Sequence, residues 1–143
     1  MHFNRRSISS RLFLIAGTIA LFIQAGCGPK MHPVSGTITY ADGTPMPGEG
    51  QIIFNAMEPK KDQGNPRGMI QADGSFHMGT LGEADGAPEG KYRVAIMPTP
   101  PHNVNKPPPN WPPLHRKYLS HDTSGLEFTV LSGRNKLNLV VEK

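Results

Sequence analysis

Hydrophobic side chains recur at every second position over most of the chain after residue 33. In VSGTITY (34–40) the larger apolar residues share one parity, and five further stretches repeat this alternation. The residues concerned are Val34, Ile38 and Tyr40; Ile52 and Phe54; Phe76 and Met78; Tyr92, Val94 and Ile96; Leu126, Phe128 and Val130; and Leu137, Leu139 and Val141. A period of two is typical of strands with one buried face. With a short strand in RGMIQA (67–72), the pattern predicts seven strands.

Turn residues separate these segments. The tripeptide Ala-Asp-Gly begins at 41, 72 and 84 with unequal spacing, so we interpret it as one turn type used three times rather than as an internal repeat. The turn ADGS (72–75) predicts a hairpin that pairs the strand at 67–72 with the Phe76 strand. The three aspartates lack the alternating oxygen ligands and distal Glu of a calcium loop.

Composition favours one small all-β domain. Sixteen Gly and fifteen Pro, with only 7% aromatic residues, suit short elements joined by turns better than a helical bundle. Seven short antiparallel strands within residues 34–143 predict a Greek-key β-sandwich, two sheets packed face to face.

The first 26 residues have a different pattern. Arg5, Arg6 and Arg11 precede an uncharged run, LFLIAGTIALFI (12–23). This order predicts a signal peptide over residues 1–26, because a membrane-spanning helix needs roughly 20 apolar residues. A short uncleaved anchor is the alternative. NRRSIS (4–9) leaves twin-arginine export open, although an ordinary basic segment explains it better.

Cys27 is the only cysteine, which excludes an intramolecular disulfide. With Ala25 and Gly26 before it, it resembles the lipobox of bacterial lipoproteins, although Gln24 replaces the family's usual aliphatic residue. The resemblance implies that Cys27 is the lipid attachment site, carrying diacylglycerol with chains such as palmitate, and that cleavage occurs before it. The alternative is a small buried residue. Residues 27–33 are then a lipidated tether.

Lipidation implies an exported protein that is anchored to a bacterial cell membrane. In that family Asp after the cysteine is an inner-membrane retention signal, so Gly28 favours the outer membrane. Three of the 15 Lys and Arg precede Cys27, which leaves 12 against 11 Asp and Glu and a charge near +1. Since these cations are scattered singly, nucleic acid is not expected as a partner.

Three motifs in order, VSGTITYADGTPMPGEGQIIF, GMIQADGSFHMG and APEGKYRVAI, resemble the carboxypeptidase regulatory-like domain, a transthyretin-like, immunoglobulin-like sandwich found in small exported lipoproteins. The resemblance covers residues 34 to about 97, and SGLEFTVLSGRNKLNLVVE suits the last two strands. It implies a non-enzymatic accessory module that binds an envelope protein or a cell-wall polymer. A small hydrolase is the alternative, but hydroxyisourate hydrolases end in Tyr-Arg-Gly-Ser and this chain ends in LVVEK.

No catalytic residue, cofactor or metal is predicted. Five histidines follow Cys27, namely His32, His77, His102, His115 and His121. We expect His77 to point out of its strand and the others to lie in loops as solvated residues. Zinc and copper sites draw three or four ligands together, and only His115 and His121 are close in sequence.

The segment 98–118 holds eight of the fifteen prolines and the only tryptophan, Trp111. It cannot join a β-ladder and favours extended polyproline II structure. The Pro-rich loop at 98–113 is therefore either a covering strap, with Trp111 on the sheet rim and Tyr118 back in the core, or a loop that binds a partner.

Overall fold

The computed structural model describes residues 28–61, 63–99 and 111–143. These ranges contain nine strands and one short 3-10 helix, η1. The elements are β1 (Met31–His32), β2 (Val34–Tyr40), β3 (Gly50–Ala56), β4 (Arg67–Met69), β5 (Ser75–His77), β6 (Ala87–Pro88), β7 (Gly90–Pro98), η1 (Arg116–Leu119), β8 (Leu126–Val130) and β9 (Asn135–Val141). The all-β prediction is confirmed. Each predicted segment contains a strand, and β1 and β6 are additional.

Two sheets form a sandwich around one core. One sheet has the order β5-β2-β9, the other β4-β3-β7-β8, and β1 pairs with β6 outside both. The alternating residues face inward as predicted, because successive side chains of a strand point to opposite faces. Ile38, Phe54, Phe76 and Tyr92 are fully buried, whereas Phe128 is half-buried against the same core.

The pairing of β2 with β9 departs from the antiparallel arrangement that we predicted. The two strands run parallel, in register from Val34 opposite Asn135 to Tyr40 opposite Val141. Parallel neighbours need a long crossover connection, and here almost the whole domain supplies it. The first and last long strands of the sandwich thus lie side by side.

The predicted hairpin of residues 67–78 is present, but its two arms also belong to different sheets. Its turn has Gly74 at φ 78°, and Arg67 and Gly79 exchange two backbone hydrogen bonds between the arms. Within the sheets, β4 pairs with β3 and β5 pairs with β2. The chain therefore crosses between the sheets at this turn. Close approach of β4 to β5 depends on Gly68, since a Cβ there would lie 2.5 Å from the carbonyl oxygen of His77.

The three Ala-Asp-Gly turns are not alike, contrary to our interpretation. Asp42 and Asp73 each accept hydrogen bonds from the backbone N–H and hydroxyl of the residue two positions on, Thr44 and Ser75. The carboxylate of Asp85 instead accepts hydrogen bonds from the N–H groups of the preceding residues 80, 81 and 82. Here Ala84 also takes a positive φ, 58°.

The strand registers define two ends of the sandwich. At the N-terminal pole lie β1, β6, the starts of β2, β7 and β9 and the ends of β3 and β8, because β1 leads directly into β2 and its partner β6 into β7. At the C-terminal pole lie the ends of β2, β7 and β9 and the start of β3. A seven-residue strand spans roughly 23 Å, which separates the two poles.

Candidate functional site

The chain enters the sandwich at the N-terminal pole. Cys27, the predicted lipid site, lies outside the described residues, and the next three residues, Gly28–Lys30, are exposed. Met31 and His32 then form β1, opposite Pro88 and Ala87 of β6. Two of the seven residues of the tether that we predicted over 27–33 therefore form a strand.

His32 is the clearest difference from our expectation of a solvated loop histidine. Only 3% of it is exposed. Its Nδ1 accepts a hydrogen bond of 3.0 Å from the backbone N–H of Gly133, which places the proton of the neutral ring on Nε2. That atom lies 3.1 Å from Oε1 of Glu89, but the N–H bond does not point at this oxygen. His32 therefore fastens the entering chain to the β8–β9 turn.

The C-terminal pole is closed by residues 111–119. Trp111 is partly buried against the core, and its ring lies over Gly50, where a Cβ would meet Cζ3 at 2.9 Å. Pro112 is buried, and Tyr118 is only 4% exposed. Trp111 and Tyr118 thus lie where the covering-strap prediction places them, while residues 100–110 of the Pro-rich loop lie outside the described ranges.

Hydrogen bonds hold this covering segment to the strand ends. The hydroxyl of Tyr40, at the end of β2, donates to the carbonyl of Pro113 at 2.9 Å. The N–H of His115 donates to the carbonyl of Glu142 at 3.0 Å. Lys117 and Glu142 form a 2.8 Å ion pair, which raises the pKa of Lys117 and lowers that of Glu142.

A groove of about 560 Å³ lies between the outer faces of β4 and β5 and the loop that follows β5. Arg67, His77 and Glu83 give it polar walls, and Met69 and Leu81, 49% and 72% exposed, give it apolar ones. His77 is exposed, as predicted. The adjacent Asp85 is not free for a ligand, since three backbone N–H groups occupy its carboxylate.

The other described histidines serve local structure or lie apart. His115 precedes η1, and its Nδ1 accepts from the N–H of Lys117 at 3.3 Å. The Nε2 of His121 is buried without a hydrogen-bond partner. Within the described ranges, no three His, Cys, Asp or Glu side chains come together as metal ligands. Hydrogen bonds that join a histidine to a hydroxyl are also absent from this part of the chain.

Two exposed hydrophobic residues at the N-terminal pole were missed by sequence reasoning. Met57 follows β3 and Leu131 follows β8, and they are 40% and 64% exposed. Leu131 comes directly after the inward-facing Val130, so these two apolar neighbours cannot both point into the core. This break in the alternation is the signal that could have identified Leu131.

Comparisons with known proteins place few constraints on function. No family model and no curated protein matches the sequence. Among solved structures, the chain is similar to a DUF3823 family protein from Parabacteroides merdae ATCC 43184, with 16% identity and a TM-score of 0.46. The match covers 80% of this chain and 47% of the other, so the chain spans about half of that protein's length. Such a slight likeness supports no inference about function.

Membrane-spanning helices are a separate question. Across residues 28–61, 63–99 and 111–143, no helix is long and apolar enough to cross a bilayer.

Proposed function

We propose that this protein is a lipid-anchored component of a bacterial cell envelope, attached through Cys27. One observation carries the proposal. A basic segment, a short apolar run and Ala25-Gly26-Cys27 directly precede the exposed residues Gly28–Lys30, which enter the sandwich at one end. A lipid on Cys27 would therefore meet the bilayer without displacing any part of the core. Gly28 in place of Asp favours the outer membrane.

We further propose that the sandwich is a non-enzymatic module, similar to the carboxypeptidase regulatory-like domain, that binds or braces an envelope protein or a cell-wall polymer. The entering residues Gly28–Lys30 and the covering segment lie at opposite poles, which supports this role. When the N-terminal pole faces the membrane, Trp111 and Thr99, the described residues on either side of 100–110, face away from it. The partner then meets the C-terminal pole.

Mass spectrometry of the protein purified from membranes tests the anchoring. We expect a mature chain that starts at Cys27 and carries acyl chains, and a Cys27→Ala variant that no longer partitions with membranes. Gly28→Ala is the matched control, because a Cβ at Gly28 would meet no atom within 4 Å. Full membrane partitioning of Cys27→Ala with a retained acyl mass would overturn the proposal.

Site-specific crosslinking in intact cells tests the partner role. A photoreactive residue at Arg116, in the covering segment, should capture an envelope partner, while one at exposed Glu127 on the outer face of β8 should not. A hydrolase is the alternative. The hydrolase would be favoured over the binding module if the purified chain turned over ester or amide substrates and lost this activity when His77 in the groove was substituted.

A further inference from the structure

The N-terminal pole has a surface composition unlike that of the C-terminal pole. It consists of residues 28–32, 57–61, 63, 87–91 and 130–134, which the β1–β6 pair and the His32–Gly133 hydrogen bond bring together. Exposed Met57 and Leu131 line one shallow cavity there, of about 600 Å³. Two large apolar side chains thus project at the end where the chain enters the domain.

Cations surround this apolar pair. The exposed Lys30, Lys60, Lys61, Lys91 and Arg134 belong to the pole. The carboxylates among the described residues of this pole are those of Glu58 and Glu89. Positive charge therefore exceeds negative charge among these residues, and none of the ion pairs between described residues uses the five cations.

The C-terminal pole is different. Among its described residues, the cations Arg116, Lys117 and Lys143 are matched by Asp42, Glu49 and Glu142. Two ion pairs, Lys117–Glu142 at 2.8 Å and Lys143–Asp42 at 3.0 Å, join members of these two sets directly. The described charges at that end thus largely neutralise one another within the domain.

Exposed apolar side chains surrounded by lysine and arginine are typical of a surface that lies in a membrane interface. The geometry points to a second, non-covalent membrane contact: we propose that the N-terminal pole rests on an anionic bilayer, with Leu131 and Met57 among the headgroups and the surrounding cations on lipid phosphates. This inference rests on the proposed anchoring through Cys27.

The length of the connection supports a bilayer as the occupant. Gly28–Lys30, the residues between Cys27 and β1, span at most about 11 Å when extended. Each polar headgroup layer of a bilayer is roughly 5 to 8 Å thick. A lipid held at Cys27 therefore keeps the pole within or just above the headgroups, where Leu131 and the lysines reach them.

Fluorescence quenching tests the contact in the full mature chain. Leu131→Cys and Val140→Cys are a matched pair, because Leu131 is 64% and Val140 62% exposed while Val140 lies near the C-terminal pole. Each variant is purified with its Cys27 modification, labelled with a polarity-sensitive dye and reconstituted in phosphatidylethanolamine vesicles containing phosphatidylglycerol and doxyl-labelled lipid. We expect at least threefold stronger quenching at position 131, and equal quenching at both positions would overturn the inference.

Charge reversal tests the role of the lysines. Lys60→Glu with Lys61→Glu should reduce quenching at position 131, since each cation near an anionic surface contributes roughly fivefold to binding. Arg116→Glu, at the other pole, should leave it unchanged. Replacing phosphatidylglycerol by phosphatidylcholine should act like the double reversal. If neither the charge reversal nor the change of lipid alters quenching at position 131, the proposed cation contact is overturned.

Mass spectrometry of the same samples separates this inference from the proposed anchoring. If Cys27 carries acyl chains and position 131 is unquenched, the anchoring stands and the pole contact fails. If Cys27 carries no acyl chains, the anchoring fails, and sedimentation of the unacylated chain with anionic vesicles decides the pole contact. Binding that is abolished by Lys60→Glu with Lys61→Glu supports the contact, and absence of binding overturns it. If the emission of the dye at position 131 shifts with protein concentration in the absence of vesicles, the pole binds a second copy of this chain. That result also overturns the membrane contact.

Discussion

Gly36 lies in β2 and Gly43 in the turn that follows β2, and each position requires glycine for a different physical reason. Gly36 lies on the inward face of β2, between Phe76 of β5 and Leu137 of β9, and a Cβ there would lie 1.7 Å from the carbonyl oxygen of Leu137. Gly43 has open space around it but a φ of 82°. One position therefore needs the absence of volume and the other needs left-handed backbone.

The two glycine substitutions should separate these requirements. Gly36→Ala forces β2 and β9 apart, and we expect a loss of about 3 kcal/mol or more in the free energy of unfolding. Gly43→Ala meets no neighbouring atom and should cost only about 1 to 2 kcal/mol for the left-handed backbone. Urea denaturation of both variants measures the difference, and equal losses would show that β9 does not lie against Gly36.

The Asx turns at Asp42 and Asp73 predict a dependence of stability on pH. Hydrogen bonds from the Thr44 side chain and N–H, with Lys143 nearby, lower the pKa of Asp42 to about 2, and those of Ser75 lower the pKa of Asp73. Because the folded pKa values lie below the unfolded value of about 3.9, this stabilisation is present above that value and is lost as pH falls towards 2.

Thermal melts between pH 5 and pH 2 test this at the level of single residues. The double variant Asp42→Asn, Asp73→Asn keeps an acceptor oxygen in each turn but does not titrate. We therefore expect a shallower fall in its melting temperature on acidification than for the parent chain. A parallel fall in both chains would contradict the assignment to these two carboxylates.

At the scale of elements, the covering segment is the part of the fold that depends most on side chains. It has no ladder of its own, so Trp111, Pro112 and Tyr118 hold it by burial and Tyr40 by one hydrogen bond. Trp111→Ala should cost about 1 to 3 kcal/mol, since the side chain is only partly buried. Tyr40→Phe should cost about 1 kcal/mol for the lost bond to Pro113.

Denaturation and tryptophan fluorescence measure these effects together. In the parent chain Trp111 emission should be partly protected from iodide, and in Tyr40→Phe it should become more accessible. If Trp111→Ala leaves the free energy of unfolding unchanged but abolishes crosslinking of the partner at position 116, the segment is a binding loop and not a covering strap.

Local sequence predicted which residues face inward, but not which strands are neighbours. The buried parity of Ile38, Phe54 and Tyr92 follows from alternation within each strand, a property of adjacent residues. The parallel partnership of β2 with β9 and the assignment of β4 and β5 to different sheets depend on contacts between distant segments, which no local period records.

The same limit explains the candidate site. His32 belongs to a two-residue strand, too short for any period, and its burial follows from Gly133, which is 101 residues away. Trp111 was identified because it is unique within a proline-rich segment. Cys27 and the envelope location rest on the sequence and stay predictions.

For the whole molecule, β1 makes the entering chain part of the folded domain. We expect residues 28–143 to fold alone, with strand-like circular dichroism that a chelator leaves unchanged. A fragment of residues 34–143 should also fold but lose about 2 kcal/mol, because it lacks the β1–β6 pair and the His32 bond to Gly133. His32→Ala in the longer fragment should lose part of this difference.

Denaturant midpoints of the three chains provide the comparison. Equal midpoints for 28–143 and 34–143 would mean that residues 28–33 are a free tether after all. A metal-dependent spectrum would contradict the expectation that side-chain packing alone stabilises the sandwich.

The parallel pairing of β2 and β9 has a mechanical consequence. If the chain is anchored and bound to a partner as we propose, a pull towards the membrane acts on the start of β2. A pull from the partner at the opposite pole then acts on the end of β9 or on the segment bonded to it at Glu142. These forces slide the two strands past each other, so the backbone hydrogen bonds across their seven residue pairs bear the load together instead of opening one after another. Under the proposed anchoring and partner binding, tension therefore acts along the direction in which this pair of strands resists separation best.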